Sequence, residues 1–361
     1  MTITSYPSGT ITPYGESLLH SGTTPLVAYR YQDQVFNLMG GLAPIPGVQS
    51  GVLLQGIKGL MPEWHLLDQS GAREDGVTNM GSVLDPIQID MKALVTGKEP
   101  GMTHAQAVAR KREVQRAWIG SWAADQVGEL SWTTPTMGKW WGMARWMKAA
   151  NDDIPNTINA TQKFPWTVRI DGGVWQSTPS TSQWPLTPLL TDYGSGWLPL
   201  SNRGDRDAWW SALVYGPGTF SFSNGPGSAS TITYGPLYEG QIVLLNSHPR
   251  LPVVVDLSPG VVTQVLTPYQ TRLQNLVSFA SNGNIVPLLQ QFESKFGILP
   301  PQTNMAALLA GRFTNPIPKT VTTPTVSNIR VSVTGASSAT KVIAAVTPRR
   351  RWPELVTSPT C

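Results

Sequence analysis

The sequence has little charge and only one cysteine. Asp, Glu, Lys and Arg make up 13% of its 361 residues, about half of the roughly 25% usual in soluble globular chains. Low charge with frequent aromatic residues excludes a disordered chain, which needs high charge and few aromatics. The single cysteine is Cys361, so the fold cannot depend on a disulfide framework.

A secretory signal and a long hydrophobic run are also missing. Residues 1–10 read MTITSYPSGT, with neither a basic nor an apolar segment, so we expect no signal peptide. The most apolar stretch, residues 251–266, is interrupted by Asp256, Pro259 and Gly260. We therefore expect no segment that spans a bilayer.

Glycine, proline and tryptophan are abundant instead. The 34 Gly and 31 Pro together make 65 of the 361 residues, or 18%, against roughly 12% expected, and there are 14 Trp. This composition excludes a helical bundle or coiled coil. It favours a turn-rich, mainly β chain whose sparsely charged surface associates with other chains.

The positive charge is spread thinly along the chain. Residues 1–160 carry 12 basic and 14 acidic side chains, net −2, and residues 161–361 carry 14 and 8, net +6. The one basic run is Arg349 to Arg351. Proteins that bind nucleic acid usually concentrate their basic residues in one patch, so this distribution gives only weak support to nucleic-acid binding.

The N-terminal part combines strands with one helix. Residues 87–95 alternate apolar and polar side chains, which is typical of a half-buried strand. The spacing of Thr103 and Gln106 is that of a capping box, and it predicts a helix over residues 103–118. Residues 129–133 and 139–146 read as paired strands, whereas residues 64–84 read as a loop.

From about residue 160 the pattern is that of many short strands separated by Gly and Pro turns, which is typical of a β-sandwich or jelly roll. Apolar residues at spacings of three and four predict a helical insertion over about 268–312. We therefore expect an N-terminal domain over 1–155 and a C-terminal sandwich over 156–361. The predicted strands of the second part are 166–170, 211–215, 219–223, 230–234, 241–245, 251–257, 329–333 and 341–346.

No arrangement of residues that predicts catalysis stands out. The four histidines have no partner at metal-ligand spacing, and there is no P-loop and no nucleophile elbow, so we expect no enzyme activity, no metal and no cofactor. Asp205 and Asp207 lie close to two tryptophans and could act as a carboxylate pair on a glycoside. A local turn network is the interpretation we favour for them.

Tryptophans and arginines are the candidate contact residues. Arg110, Arg112 and Arg116 either form a solvated helix face or contact another subunit, since Arg is favoured at interfaces. Large side chains on both strand faces near Trp140 indicate that both faces are covered, by core or by a partner. The candidate subunit interface is Arg110, Arg112, Arg116, Trp118, Trp122, Trp140 and Trp141. Candidates for stacking on a sugar or contacting a partner are Trp175, Trp184, Trp197 and, above all, Trp209 and Trp210, although core or subunit packing is the simpler interpretation for each.

Three stretches resemble a known family. The first runs from Leu84 to Trp146 and contains the predicted helix, WIGSW (118–122) and GELSWTTP (128–135). The second contains SNRGDRDAWWSALVYGPGTFSFSNGPGS from Ser201 and GPLYEGQIVLL (235–245), and the third is TPRRRWPE (347–354). The chain resembles the distal tail proteins, also called minor tail proteins, of long-tailed phages that infect mycobacteria and related actinobacteria.

The resemblance implies a homohexameric ring at the tail tip of the virion, assembled in the host cytoplasm. Each copy would have a tail-tube-like β domain with one helix and a galectin-like β-sandwich. The ring would join the tail tube protein to the tail-associated hub protein, contact the tape measure protein and carry receptor-binding or other minor tail proteins. DNA would pass through its channel only in transit.

The sequence is therefore compatible with three functions. The first is a structural tail-tip adaptor. The second is a carbohydrate-binding β-sandwich that attaches to the host cell wall. The third is a hydrolase that uses Asp205 and Asp207.

Overall fold

Two compact units make up the protein in this computed structural model: unit 1 comprises Met1–Gln176 with Arg350–Cys361, and unit 2 comprises Ser177–Arg349. Within the described residues the fold is mainly β with one helix, as the sequence predicts. The structure describes residues 25–32, 34–39, 51–69, 78–99, 101–122, 126–134, 137–148, 159–249, 253–257, 309–320 and 325–353.

Unit 1 is built on an antiparallel sheet and a separate hairpin. Its strands are β1 (Leu26–Tyr31), β2 (Gln34–Met39), β3 (Val52–Lys58), β4 (Trp64–Gln69), β5 (Thr78–Leu84), β6 (Ile87–Thr96), β7 (Gly128–Thr134), β8 (Gly138–Lys148) and β9 (Thr161–Ile170). The sheet has the order β2-β1-β7-β8-β9-β6-β3, and β4 pairs only with β5. The alternating pattern of residues 87–95 is confirmed, because β6 buries every second side chain.

The helix α1 (His104–Gly120) begins as the sequence predicts. Thr103 is its N-cap, and both hydrogen bonds of the capping box with Gln106 are present. The helix packs directly on the end of β6, where a Cβ atom at Gly97 would lie 2.0 Å from the Ala107 carbonyl oxygen. Only glycine therefore fits between this strand end and the helix.

Aromatic rings fill the space between α1 and the sheet. The rings of Tyr29 and Trp122 stack with centroids 3.7 Å apart, and Trp118 meets Trp122 edge-on at 5.4 Å. The Tyr29 hydroxyl donates a hydrogen bond of 2.7 Å to the Ser121 carbonyl oxygen. Edge-on ring contacts such as that of Trp118 with Trp122 stabilise a core beyond the area that they bury, so this cluster fixes the helix on the sheet.

The boundary between the units lies about twenty residues beyond the expected position at 155/156. The strand β9 pairs with β6 along its whole length, from Ile87↔Ile170 to Thr96↔Thr161, and also with β8. The strand β9 therefore belongs to unit 1, although the sequence predicts residues 166–170 as a strand of the C-terminal sandwich. Arg350 returns to unit 1, where its guanidinium lies over the Trp140 ring at 5.1 Å.

Unit 2 is a two-layer β-sandwich, as the sequence predicts. The inner side chains of its two sheets form one hydrophobic cluster. Its strands are β11 (Ser180–Trp184), β12 (Tyr193–Ser201), β13 (Trp210–Tyr215), β14 (Gly218–Ser223), β15 (Thr231–Leu237), β16 (Ile242–Asn246), β17 (Val253–Asp256), β18 (Val326–Thr334) and β19 (Lys341–Val346). One sheet has the order β11-β19-β13-β16-β17 and the other β12-β18-β14-β15. Two short strands, β10 (Trp175–Ser177) and β20 (Arg349–Arg350), pair with each other where the chain passes between the units, and β10 also pairs with β8 of the first sheet.

One sequence-based expectation is wrong, and a second concerns residues that lie almost entirely outside the described part of the chain. Residues 64–84 are not a loop, because they contain the strands β4 and β5. The helical insertion predicted at about 268–312 lies outside the described residues except for residues 309–312, which are not helical. The helix that the structure describes is not of the length and hydrophobicity that a membrane crossing requires.

Candidate interaction surfaces

The four tryptophans of the expected subunit interface lie inside the protein itself. Trp118, Trp122, Trp140 and Trp141 are all buried, with at most 5% of each side chain exposed. Trp118, Trp122 and Trp140 belong to the hydrophobic cluster of unit 1. The interpretation of these four as interface residues is corrected here: buried indoles leave almost no surface for a second subunit.

The three arginines of the expected interface have different surroundings. Arg110 forms an ion pair with Glu99 of the preceding turn, whereas Arg112 and Arg116 are exposed. Lys111, which lies between Arg110 and Arg112 in the sequence, is buried. Its Nζ lies 3.5 Å from the Gln162 side-chain oxygen. Burial lowers the pKa of Lys111, and the charge of Arg112 lowers it further.

Only one of the five tryptophans considered for sugar stacking is exposed. Trp210 is fully buried and Trp209 is half-buried, with its ring 5.7 Å from that of His248. Trp175 and Trp184 are also buried, while 57% of Trp197 is exposed. Trp210 therefore packs in the core, which is the interpretation favoured from the sequence, because β13 turns this side chain inwards.

The carboxylates proposed for hydrolysis belong to a turn. The buried Asn202 accepts a 2.9 Å hydrogen bond from the Gly204 N–H and donates one of 2.7 Å to the Arg206 carbonyl oxygen. Asp207 accepts a 2.8 Å hydrogen bond from the Lys319 N–H, and the Asp205 N–H donates to the Arg349 carbonyl oxygen. These contacts support the turn-network interpretation.

The part of the chain that the structure describes contains no candidate metal site. There, no three His, Cys, Asp or Glu side chains are grouped as metal ligands would be. Exposed apolar surface is a further kind of candidate site.

The hairpin of β4 and β5 is the first such surface. Its register pairs Trp64 with Leu84, His65 with Val83 and Leu66 with Ser82. At its base the Asp85 N–H donates a 2.9 Å hydrogen bond to the Glu63 carbonyl oxygen, and the imidazole Nε2 of His65 lies 2.7 Å from a carboxylate oxygen of Asp85. These contacts hold the start of the hairpin next to β6.

Large apolar side chains occupy both faces of this hairpin and are exposed. Trp64 and Leu66 point to one face, and Leu67 and Val83 to the other. About half of each of these side chains is open to solvent, from 49% for Leu67 and Val83 to 57% for Leu66. Several large apolar side chains exposed on one small element are a feature of interaction sites.

Sequence reasoning missed the hairpin because its usual signal is absent. A strand is recognised by apolar residues on alternate positions, since one face is buried and the other is solvated. In β4 the apolar residues Leu66 and Leu67 are adjacent, so neither face is polar. A short run with apolar residues on both faces, bounded by turns, would have been the signal to use.

The comparisons with known proteins give matches among solved structures alone. No protein-family model matches the sequence, and the comparison with curated proteins finds no relative. The structural neighbours are phage proteins. The SPP1 Dit protein, presented as a paradigm of the hub adsorption apparatus in Gram-positive infecting phages, matches with a TM-score of 0.46 and 10% identity over 90% of this chain and 99% of that one.

Chains of the phage p2 baseplate in its activated conformation are also similar. The structure with Sr matches with a TM-score of 0.46 and the structure with Ca with 0.45, each at 8% identity over 91% of this chain and 99% of the other. At TM-scores below 0.5 these likenesses do not establish a function.

Proposed function

We propose that the protein is a structural component of a phage tail tip, which assembles from six copies into a ring that joins the tail tube to the hub and to host-recognition proteins. The proposal rests on the sequence resemblance to distal tail proteins of phages that infect actinobacteria. The observation that carries it is the exposed apolar hairpin of β4 and β5, together with the low charge of the chain.

The hairpin requires a covering partner for energetic reasons. An isolated two-stranded hairpin is marginally stable in water, and here both faces expose large apolar side chains such as Trp64, Leu66 and Leu67. Burying apolar surface contributes about 25 cal/mol per Å², so a neighbouring protein would stabilise the hairpin and remove the exposed patch.

A second copy of the chain is the partner that we assign to the hairpin. The contact would be heterologous, because the hairpin of one copy meets a different surface of the next, and such contacts generate a ring when the rotation closes. Arg112 and Arg116 on α1 are the exposed members of the interface expected from the sequence, and we propose them as polar contacts at its rim.

The tail tube protein, the tape measure protein, the hub protein and receptor-binding proteins are the partners proposed for the two ends and the outside of the ring. DNA would pass through without being read. A ring with this role needs no catalytic residues. In agreement with this, the Asp207 carboxylate accepts a hydrogen bond from the Lys319 backbone N–H within a turn.

The test is the mass of the assembly after a charge is placed on the hairpin. We expect the purified wild-type chain, alone or with its tail neighbours, to give six-membered rings in mass photometry and electron microscopy. Leu67→Asp should give mainly monomers, because a carboxylate would then be buried at the contact. Folding should be preserved, since 49% of this side chain is exposed in the single chain.

Leu190→Asp is the matched control. Leu190 is 98% exposed in unit 2 and lies outside the hairpin, so this variant should still form rings. Monomers of the wild-type chain under all conditions would remove the ring proposal. Rings from Leu67→Asp would show that the hairpin is not the contact.

A further inference from the structure

We infer that the outer face of the sheet β12-β18-β14-β15 in unit 2 is a binding surface for a neutral polysaccharide, with Trp197 as the stacking platform. The inference does not depend on the proposed ring, because it concerns a different unit and a different surface. It begins from the one tryptophan of unit 2 that is mostly exposed, within the residues that the structure describes.

The strand register places polar groups around this indole. Trp197 on β12 lies opposite Arg330 on β18, and the flanking outward pairs are Ser195 with Ser332 and Pro199 with Asn328. Side chains directly opposite on neighbouring strands have Cβ atoms about 5 Å apart. The Cβ atom of Trp197 therefore lies beside that of Arg330, and residues that carry hydroxyl or amide groups lie one step away on either side.

Hydroxyl groups continue across the remaining two strands. Ser332 on β18 lies opposite Ser221 on β14, which in turn lies opposite Thr233 on β15. The hydroxyl oxygens of Ser221 and Thr233 are 2.9 Å apart. Four strands at about 4.8 Å spacing make a polar surface roughly 14 Å wide, which is enough for a short oligosaccharide.

The inner side of β12 holds the platform in place. Gly194 and Gly196 face the core, where a Cβ atom at Gly196 would lie 2.0 Å from Nε1 of Trp184. Leu198 and Leu200 complete the buried side of the same strand. The strand that presents Trp197 is thus fixed from behind by close packing, so the indole is presented on a rigid support.

The chemistry of this face fits a sugar chain. A sugar ring has an apolar face of C–H groups, which stacks on an indole, and a rim of hydroxyls, which donate and accept hydrogen bonds. The Ser and Thr hydroxyls can do both, the Asn328 amide can do both, and Arg330 only donates. In the described part of the chain Arg330 forms no ion pair, so its donors can serve a ligand.

Other partners fit this face less well. The core of a protein interface is apolar and depleted in serine. On this face the exposed apolar residues Tyr193 and Val326 lie apart at its two ends, and hydroxyl groups surround the indole between them. A nucleic acid or an acidic polysaccharide would call for several basic residues, and Arg330 is the only charged residue at the outward positions of the four strands. A neutral polysaccharide is the ligand that remains.

The test uses the full-length chain in native gels that contain arabinogalactan, mannan or glucan, in which a bound protein migrates more slowly. We expect the wild type to be retarded by at least one of these polymers. Trp197→Ala should weaken the apparent affinity at least tenfold, and Trp197→Tyr should keep part of it because an aromatic ring remains. Arg330→Gln should weaken binding several-fold.

Tyr238→Ala is the control, since Tyr238 is 76% exposed in the same unit but follows the end of β15. It should bind like the wild type. Unretarded wild type in all three polymers would overturn the inference, and so would equal binding by Trp197→Ala and Tyr238→Ala. If Trp197→Ala instead changes the mass of the assembly and leaves retardation unaltered, the face is a protein contact.

Discussion

At the residue scale, several glycines are required by the side chains that pack on them. A Cβ atom at Gly128 would lie 2.3 to 2.4 Å from atoms of the Tyr29 ring, closer than any carbon contact allows. Tyr29 is held in turn by its stacking on Trp122 and by its hydrogen bond to Ser121. The ring cannot move aside without breaking these contacts.

We therefore predict that Gly128→Ala destabilises unit 1 by about 2 kcal/mol, the usual size for an overpacked core. Chemical unfolding followed by tryptophan fluorescence would measure the change. Gly120→Ala is the control, because no atom lies within 4 Å of its added Cβ and the position is helical; it should be neutral or stabilise the protein by up to about 1 kcal/mol. Equal effects of the two variants would contradict the packing argument.

Single residues were the hardest to assign from the sequence. Composition indicates that many of the 14 tryptophans must be covered, but it does not distinguish cover by the chain's own core from cover by a partner. The pair Trp209 and Trp210 shows the difficulty: Trp210, the first residue of β13, is buried, whereas Trp209 just before the strand is only partly buried. The direction of a side chain depends on strand register, which long-range pairing sets.

At the scale of elements, local signals predict well where local physics decides. The capping box of Thr103 and Gln106 needs only four consecutive residues, and the structure shows both of its hydrogen bonds. The alternation of β6 was equally readable because one of its faces is buried.

The strand β12 was missed for the opposite reason. It contains Gly194, Gly196 and Pro199, which are typical of turns. The glycines are there because Trp184 of the other sheet packs against the strand, and that contact cannot be read from the neighbouring sequence. Pro199 is tolerated because β12 lies at the edge of its sheet.

For the helix we predict that Thr103→Ala destabilises unit 1 by about 1 kcal/mol, because the Gln106 N–H loses its side-chain acceptor. Thr103→Ser should restore most of the stability, since the hydroxyl remains. Thermal unfolding of both variants against the wild type would measure this. A loss as large in Thr103→Ser as in Thr103→Ala would show that the methyl group, not the cap, is responsible.

At the scale of the whole molecule, the two units have separate hydrophobic cores. The cluster of unit 1 includes Leu130 and that of unit 2 includes Phe222, and both side chains are fully buried. Domains with their own cores can unfold as separate cooperative units.

We predict two unfolding transitions that respond independently to core substitutions. Leu130→Ala should lower only one transition and Phe222→Ala only the other, each by an amount that corresponds to about 3 to 4 kcal/mol. Differential scanning calorimetry of the full chain would resolve them. A single transition lowered by both variants would mean that the units unfold together.

The sequence predicts both units but not where they divide. The pattern of many short strands that predicts the sandwich begins at about residue 160, yet β9 completes the first sheet by pairing with β6 and β8. The segment after Arg350 also returns to unit 1. Neither assignment has a local signal, because both depend on pairings between residues far apart in the chain.

Unit 2 is an insertion within the sequence of unit 1. The chain leaves unit 1 after Gln176 and returns at Arg350, and the two ends of unit 2 lie side by side, since the Ser177 N–H bonds the Pro348 carbonyl oxygen at 3.2 Å. During synthesis the ribosome therefore finishes the whole of unit 2 before it delivers the last segment of unit 1. Adjacent ends also mean that evolution can lengthen, trim or exchange the sandwich while the sheet that carries it keeps its connections.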